Sequence, residues 1–196
     1  TEPVRIAACG VFRPGLEHLA IEERFRLHVT YLPCGLHLQP FRLRESIEGT
    51  IIPWKKGCCP VICLYGRCFP DIDMFCREHG IYRIRGEHCY EIFLGSSRFR
   101  RIMEKSAGTY FLEQELLVNF EEYCQEPLEL LDPEMRRMCF GHYRRLIYLR
   151  QPGDADLIAK AESVSRLLGL PLEIIDVDYR HLEQRILNLI EIVGSG

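Results

Sequence analysis

Short apolar runs alternate with segments of helical periodicity along nearly the whole chain, and this pattern constrains the fold most. The runs fall at residues 4–9, 28–32, 61–68, 82–85, 146–149 and 172–177, and a further short element begins at Gly108-Thr109-Tyr110-Phe111. They are continuous rather than polar–apolar alternating, as strands are when helices cover both faces of a parallel sheet. Between them lie helix signals. Pro40 sits in a first turn ahead of Leu43 and Ile47, and Pro70 precedes Ile72, Phe75 and Cys76, with Gly80 as the stop. Ser96 and Asp154 are expected as N-caps, Asp132-Pro133 opens another helix, Gly169 ends one, and Leu182, Ile186, Leu189, Ile190 and Val193 form the face of the last. The expected fold is α/β: an open, mostly parallel sheet with helices on both faces and a helix-rich insertion or lid around 113–143. Residues 1–193 are expected to form a single domain, with the closing Gly194-Ser195-Gly196 set aside as a fusion scar.

Composition narrows the function classes. A chain of 196 residues, 47% hydrophobic, can bury a sizeable core. A formal charge of -3 gives no electrostatic reason to expect nucleic acid. No apolar run approaches a membrane span and no signal peptide is visible, so a cytoplasmic protein is expected. Ten cysteines are many for such a chain. A chain of this length does not need a disulfide framework, so reduced thiols in a cytosolic protein are the reading, a usage that also suits an anaerobic setting, with some thiols inert and some functional.

The thiols fall at strand ends. Cys9 ends the first run, Cys34 and His37 follow the second, Cys68 ends the third, and His88 and Cys89 follow the fourth. In a parallel α/β sheet the carboxyl ends of the strands share one edge, where ligands bind. Thiolate and imidazole together suit Zn²⁺, and an all-cysteine set also suits an iron–sulfur cluster. Cys9, Cys68 and Cys89 are the leading metal ligands, with His37 or His88 as a fourth ligand or its support. Gly10 and Gly66 would let backbone approach a bound group closely. The site would have to assemble from distant segments, because no Cys-x-x-Cys knuckle occurs. The alternative is that these cysteines simply pack, as free cysteine often does. Cys63, Cys76, Cys124 and Cys139 are expected in the core, and the Cys58-Cys59 pair in a loop. His18, His28, His79, His142 and His181 stand isolated.

Leu94-Gly95-Ser96-Ser97 followed by Arg98, Arg100 and Arg101 reads first as the start of a solvated helix face, with an anion held by Gly95 and Ser96 at the helix N-terminus as its rival. Dinucleotide, phosphate-loop and serine-elbow fingerprints are absent.

Cys9-Gly10, Leu36-His37 with Pro40, Tyr65-Gly66-Arg67-Cys68, the turn from Arg85 to Cys89, Phe93-Leu94-Gly95-Ser96 and Gly108-Thr109-Tyr110 occur in an order that resembles the family called "domain of unknown function 1638". The resemblance spans about residues 4–190. It implies cytosolic proteins of methanogens and other anaerobes, often encoded beside corrinoid-dependent methyltransferases, with repeated thiols at Cys9, Cys68 and Cys89. Arg67 is expected beside Gly10 and Gly66 among the residues around a bound group. Two departures stand out: Glu87-His88-Cys89 replaces His-Asp-Cys, and residues 113–117 replace an aromatic Gly-Trp. The expectation is therefore a metal–thiolate protein of corrinoid or one-carbon metabolism, with a corrinoid protein or methyltransferase as partner. Its rivals are a non-catalytic assembly factor docking through residues 113–143, and a metal-free cysteine enzyme using Cys68 or Cys89 beside His88.

Overall fold

A computed structural model describes residues 3–57 and 59–194. Cys58 and the Ser195-Gly196 part of the expected scar lie outside the described residues. The α/β class holds, but the strands divide between two parallel sheets. The chain forms two compact units, Thr1–Phe93 with Tyr179–Gly196, and Leu94–Asp178.

The first unit contains β1 (Arg5–Cys9), α1 (Arg13–His18), α2 (Ile21–Phe25), β2 (His28–Leu32), α3 (Pro40–Lys55), β3 (Val61–Leu64), α4 (Ile72–Glu78) and β4 (Tyr82–Arg83). Helix α5 (Cys89–Leu94) runs to its boundary, and α10 (Arg180–Gly194) returns to it. The sheet order is β2-β1-β3-β4, all parallel. Cys9 stands opposite Leu32, Ala8 opposite Leu64, and Cys63 opposite Arg83. Strands β1 and β3 are central, so both of their faces are covered, and Ile6, Ala7, Ala8, Cys63 and Leu64 are all fully buried. Leu43, Ile47 and Ile51 recur every fourth residue of α3 and are also fully buried, the stripe that a sheet-covering helix requires. Helix α2 was not legible in the chain. It is a short turn between two residues with left-handed backbone, Ala20 and Arg26.

The second unit contains α6 (Ser96–Lys105), β5 (Thr109–Leu112), α7 (Gln114–Val118), a π-turn (Glu121–Gln125), α8 (Pro133–Phe140), β6 (Arg145–Arg150), α9 (Ile158–Leu168) and β7 (Leu172–Asp176). Its sheet runs β5-β6-β7, again all parallel. Residues 113–143 are helix-rich as expected, and Leu116, Leu117, Phe120, Cys124, Leu130 and Phe140 from this stretch sit in the unit's own core.

Two capping expectations are corrected. Gly95, with φ of 77°, holds the cap position of α6, and Ser96 is that helix's first residue. Asp154 does not cap α9, whose N-cap is Leu157. Its carboxylate is drawn instead to the Tyr148 hydroxyl and the Gln151 amide. Among the described residues no helix is long and apolar enough to cross a membrane.

A candidate thiol site at the carboxyl edge of the first sheet

The order β2-β1-β3-β4 means that the chain leaves β1 to one side, forms β2, and then crosses to β3 on the other side. Such a reversal opens a crevice beyond the carboxyl ends of β1 and β3, the usual ligand position in an open α/β sheet. Cys9 is the last residue of β1, and Tyr65-Gly66-Arg67-Cys68 follows β3 directly. Cys34 comes two residues after β2, and Gly86-Glu87-His88-Cys89 follows β4. The four expected strand ends therefore belong to one parallel sheet and point the same way.

Tyr65 lies at the centre of this edge. It is 1% exposed, and its hydroxyl has no hydrogen-bond partner. Burial pushes its ionisation up, and the neighbouring thiols of Cys9, Cys63, Cys68 and Cys34 push it further. A buried donor left unpaired in this way forfeits about 1–3 kcal/mol, so its retention calls for a cause. Cys68 is half-buried and lines a cleft of about 610 Å³ with Arg67, Pro70 and Asp73. Burial, and then the nearby Cys9 thiol, push Cys68 up to about 12, against a weaker pull from the Gly66 backbone and Arg83. Cys68 is thus a protonated thiol near neutral pH.

The two glycines expected to approach a bound group approach other loops instead. A Cβ on Gly10 would meet the Cys34 sulfur at 3.0 Å and the Leu32 carbonyl at 3.2 Å. A Cβ on Gly66 would stand 2.6 Å from the Glu87 carbonyl oxygen, which accepts from the Arg67 backbone N–H at 2.7 Å. The loops after β3 and β4 are thereby pinned backbone to backbone. Side chains complete the clamp. Arg67 donates to Asp73 at 2.9 Å and to Glu87 at 3.0 Å. The less exposed Arg83 donates to Asp73 at 2.6 Å and to the carbonyls of Tyr65 and Gly86. Burial opposes ionisation of Asp73, but the guanidiniums of Arg83 and Arg67 together hold it below the usual carboxylate range. Glu91 accepts from the Glu87 N–H at 2.8 Å and pairs with Arg185 at 3.5 Å. The role of Arg67 here is to brace two loops.

The remaining candidates sit as follows. Cys89 is half-buried and begins α5, a helix not foreseen in the chain, while His88 before it is exposed. His37 is exposed, and its Nδ1 donates to the Cys34 carbonyl at 2.6 Å within the 3-10 turn Cys34–Leu38. Among the described residues no three Cys, His, Asp or Glu side chains converge to hold a metal ion as they stand. Gly95 and Ser96 belong to the second unit. Cys63 is fully buried and shares a hydrogen bond with Cys76, and Cys124 stands 3.7 Å from the Tyr110 hydroxyl. Cys139 packs half-buried against the second unit's core. Cys59 is buried and donates to the Trp54 carbonyl. Tyr65 is the residue that sequence reasoning passed over as a site member. Its signal was a phenol closing an apolar run directly before a glycine.

The family described as "Protein of unknown function (DUF1638)" matches residues 31–186. That span includes Cys34, Tyr65, Cys68 and Cys89 and begins after Cys9. Neither the curated proteins nor the solved structures offer a match.

Proposed function

The chain belongs to the DUF1638 family, and from its geometry we propose that it binds a thiophilic metal ion, zinc in first place, through Cys9 and Cys68. One observation carries this reading: a buried phenol without a partner among thiols, at the crevice where the strand order reverses. The donor set is soft sulfur, which suits zinc or an iron–sulfur cluster and not a hard cation. The Cys68 thiol, which burial keeps protonated, would release its proton to solvent as the ion binds, and the ion would remove its opposition to the Cys9 thiol. Cys34 or Cys89 would supply a third sulfur after a side-chain turn, with His37 or His88 as the remaining candidates. The Tyr65 hydroxyl would donate to an adjacent thiolate, which gives that orphan donor its partner. Bound zinc would supply activation of a thiol for methyl transfer, in line with the corrinoid and one-carbon setting that the family resemblance implies. A metal-free cysteine enzyme using Cys68 is less well supported, because a thiol pushed up to about 12 is a poor nucleophile near neutral pH.

Metal analysis of anaerobically purified protein tests the reading. Zinc or iron near one equivalent per chain, lost in Cys68→Ser, is expected on roughly one-site stoichiometry. Less than about a tenth of an equivalent, unchanged by Cys68→Ser, would end it. A second reading, a non-catalytic partner of a methyltransferase or corrinoid protein, is favoured by the apolar side chains that the second unit leaves in solvent. Leu131 is 71% and Met138 72% exposed, both within residues 113–143. It predicts a stable complex in pull-down that Leu131→Glu with Met138→Glu weakens.

A further inference from the structure

The carboxyl edge of the second sheet carries a different chemistry. Glu113 directly follows β5, Gln151 and Asp154 follow β6, and Asp176 ends β7. A cleft of about 550 Å³ opens beyond β6 and β7, a size that suits a small organic molecule. Its walls include the apolar Ile158 and Val177, and its polar groups are Gln151, Asp154, Asp156, Asp176 and Arg150. Three carboxylates face one guanidinium, and that guanidinium is taken. Arg150 grips Asp176 bidentately, Nε to Oδ1 at 2.6 Å and a terminal nitrogen to Oδ2 at 3.1 Å.

Two residues that line this cleft each carry a buried oxygen without a donor. Oδ2 of Asp154 accepts from the Tyr148 hydroxyl at 2.8 Å and from the Gln151 N–H at 2.9 Å, while its Oδ1 is buried and unpartnered. Gln151 is 4% exposed, and its Oε1 is likewise buried and unpartnered. Buried acceptors without donors are costly, and a buried carboxylate without a cation more so. Both groups lie at the strand end where parallel sheets take their ligands.

We propose that this cleft binds a small organic molecule through a primary ammonium group, received by Asp154 Oδ1 and Gln151 Oε1, with Asp156 adding attraction. An ammonium supplies several N–H donors in a compact head, so it meets both orphan acceptors at once and offsets the surplus of negative charge. A hydroxyl pair would supply the donors but leave the charge. An anion is opposed by the carboxylates. A bare metal ion would need three or more converging ligands, and among the described residues no such carboxylate group forms. Pro152, Ile158 and Val177 would pack on the aliphatic part of the ligand.

Calorimetric titration of the full chain with putrescine, butanediol and magnesium chloride distinguishes these cases. Putrescine is expected to bind with a Kd of about 1 mM or tighter, and butanediol to give no heat over the same range. Asp154→Asn keeps a carbonyl oxygen for Tyr148 and Gln151 and is expected to weaken putrescine about tenfold. Asp156→Asn, at an exposed position and with an oxygen kept for the Ile158 N–H, is expected to weaken it about threefold. The proposal is overturned if putrescine gives no heat up to about 10 mM. It also fails if butanediol binds equally, if magnesium binds and Asp154→Asn abolishes that binding, or if neither variant changes the putrescine affinity.

Discussion

The two units build the same architectural edge from opposite chemistry. In the first, a four-stranded parallel sheet ends in sulfur, with Cys9, Cys34 and Cys68 around the Tyr65 phenol. In the second, a three-stranded parallel sheet ends in oxygen, with Glu113, Gln151 and Asp154 after its strands and Asp176 at the end of β7. The strand order differs as well. The first sheet reverses direction between β2 and β3 and so has a crevice between β1 and β3, whereas the second proceeds β5-β6-β7 without reversal and places its cleft beyond β6 and β7. Burial raises acid ionisation at both edges, but the consequences diverge. A thiol starts near neutral charge and burial keeps it so, while a carboxylate starts charged and burial makes that charge expensive. On the two readings proposed above, a cation at the first edge would displace protons, and a cation at the second would meet an existing charge.

The largest expected effect is at the sulfur edge. In metal-free protein Cys68, raised from 9.0 to about 12, is expected to react with iodoacetamide near pH 8 about a thousandfold more slowly than an unperturbed thiol. Peptide mapping of the alkylation time course measures this, and a rate within about tenfold of a free thiol would remove the contrast.

Next comes Glu113, which burial raises from 4.5 to about 7 against the pull of the Leu116 and Glu115 amides that it caps. The folded state holds this proton more tightly than the unfolded state, so the associated stability is present below about pH 4.5 and is lost as pH rises through about 7. The loss is on the order of 3 kcal/mol across that window. Urea unfolding followed by circular dichroism, at both ends of the window, is expected to show this slope in the wild type and a flatter one in Glu113→Gln. The fluorescence of Trp54, the single tryptophan and a member of α3, reports the first unit as an internal control.

Glycine substitutions sharpen the comparison on a smaller scale. Gly66→Ala forces a Cβ onto the Glu87 carbonyl and is expected to cost about 3 kcal/mol and to disturb the thiol edge. Gly153→Ala, with φ of 81° and open space around it, is expected to cost only about 1 kcal/mol. Equal losses in thermal unfolding would show that the clamp between the β3 and β4 loops is not what holds that edge. Smallest of all, Tyr148→Phe removes one of the two hydrogen bonds to Asp154 Oδ2 and is expected to cost about 1 kcal/mol while tightening putrescine binding, because Oδ2 then keeps only the Gln151 N–H as donor.

The backbone of this comparison was legible in the chain, and its side-chain detail was not. The run His28–Leu32 is a strand with those bounds, and Asp132-Pro133 does open α8, with the Asp132 carboxylate accepting from Glu134 and Met135. Apolar runs and cap pairs are local, so local reading recovers them. The division into two sheets is not local: nothing in the strand at 82–83 or in the one at 109–112 says that they do not pair. Asp154 shows the same limit at one residue. Its position before a helical stripe reads as a cap, yet a tyrosine six residues earlier on β6 captures the carboxylate and leaves one oxygen unpaired in the cleft. Gln151-Pro152-Gly153-Asp154 is a strand-end turn of the kind that drew attention to the thiols, but polar residues in a turn look like solvent contacts until burial is known. The strand-end placement of Cys9, Cys34, Cys68 and Cys89 was legible because topology alone puts them on one edge. Which of them face one another depends on rotamers and loop conformation, which spacing does not encode.

Cobalt titration under anaerobic conditions tests the thiol edge most directly, because thiolate-to-cobalt charge transfer in the near ultraviolet counts sulfur ligands. The account predicts a saturable band at about one equivalent, weakened in Cys9→Ser and in Cys68→Ser and retained in Cys139→Ser. A band that survives both edge substitutions unchanged, or no band at all, would contradict it.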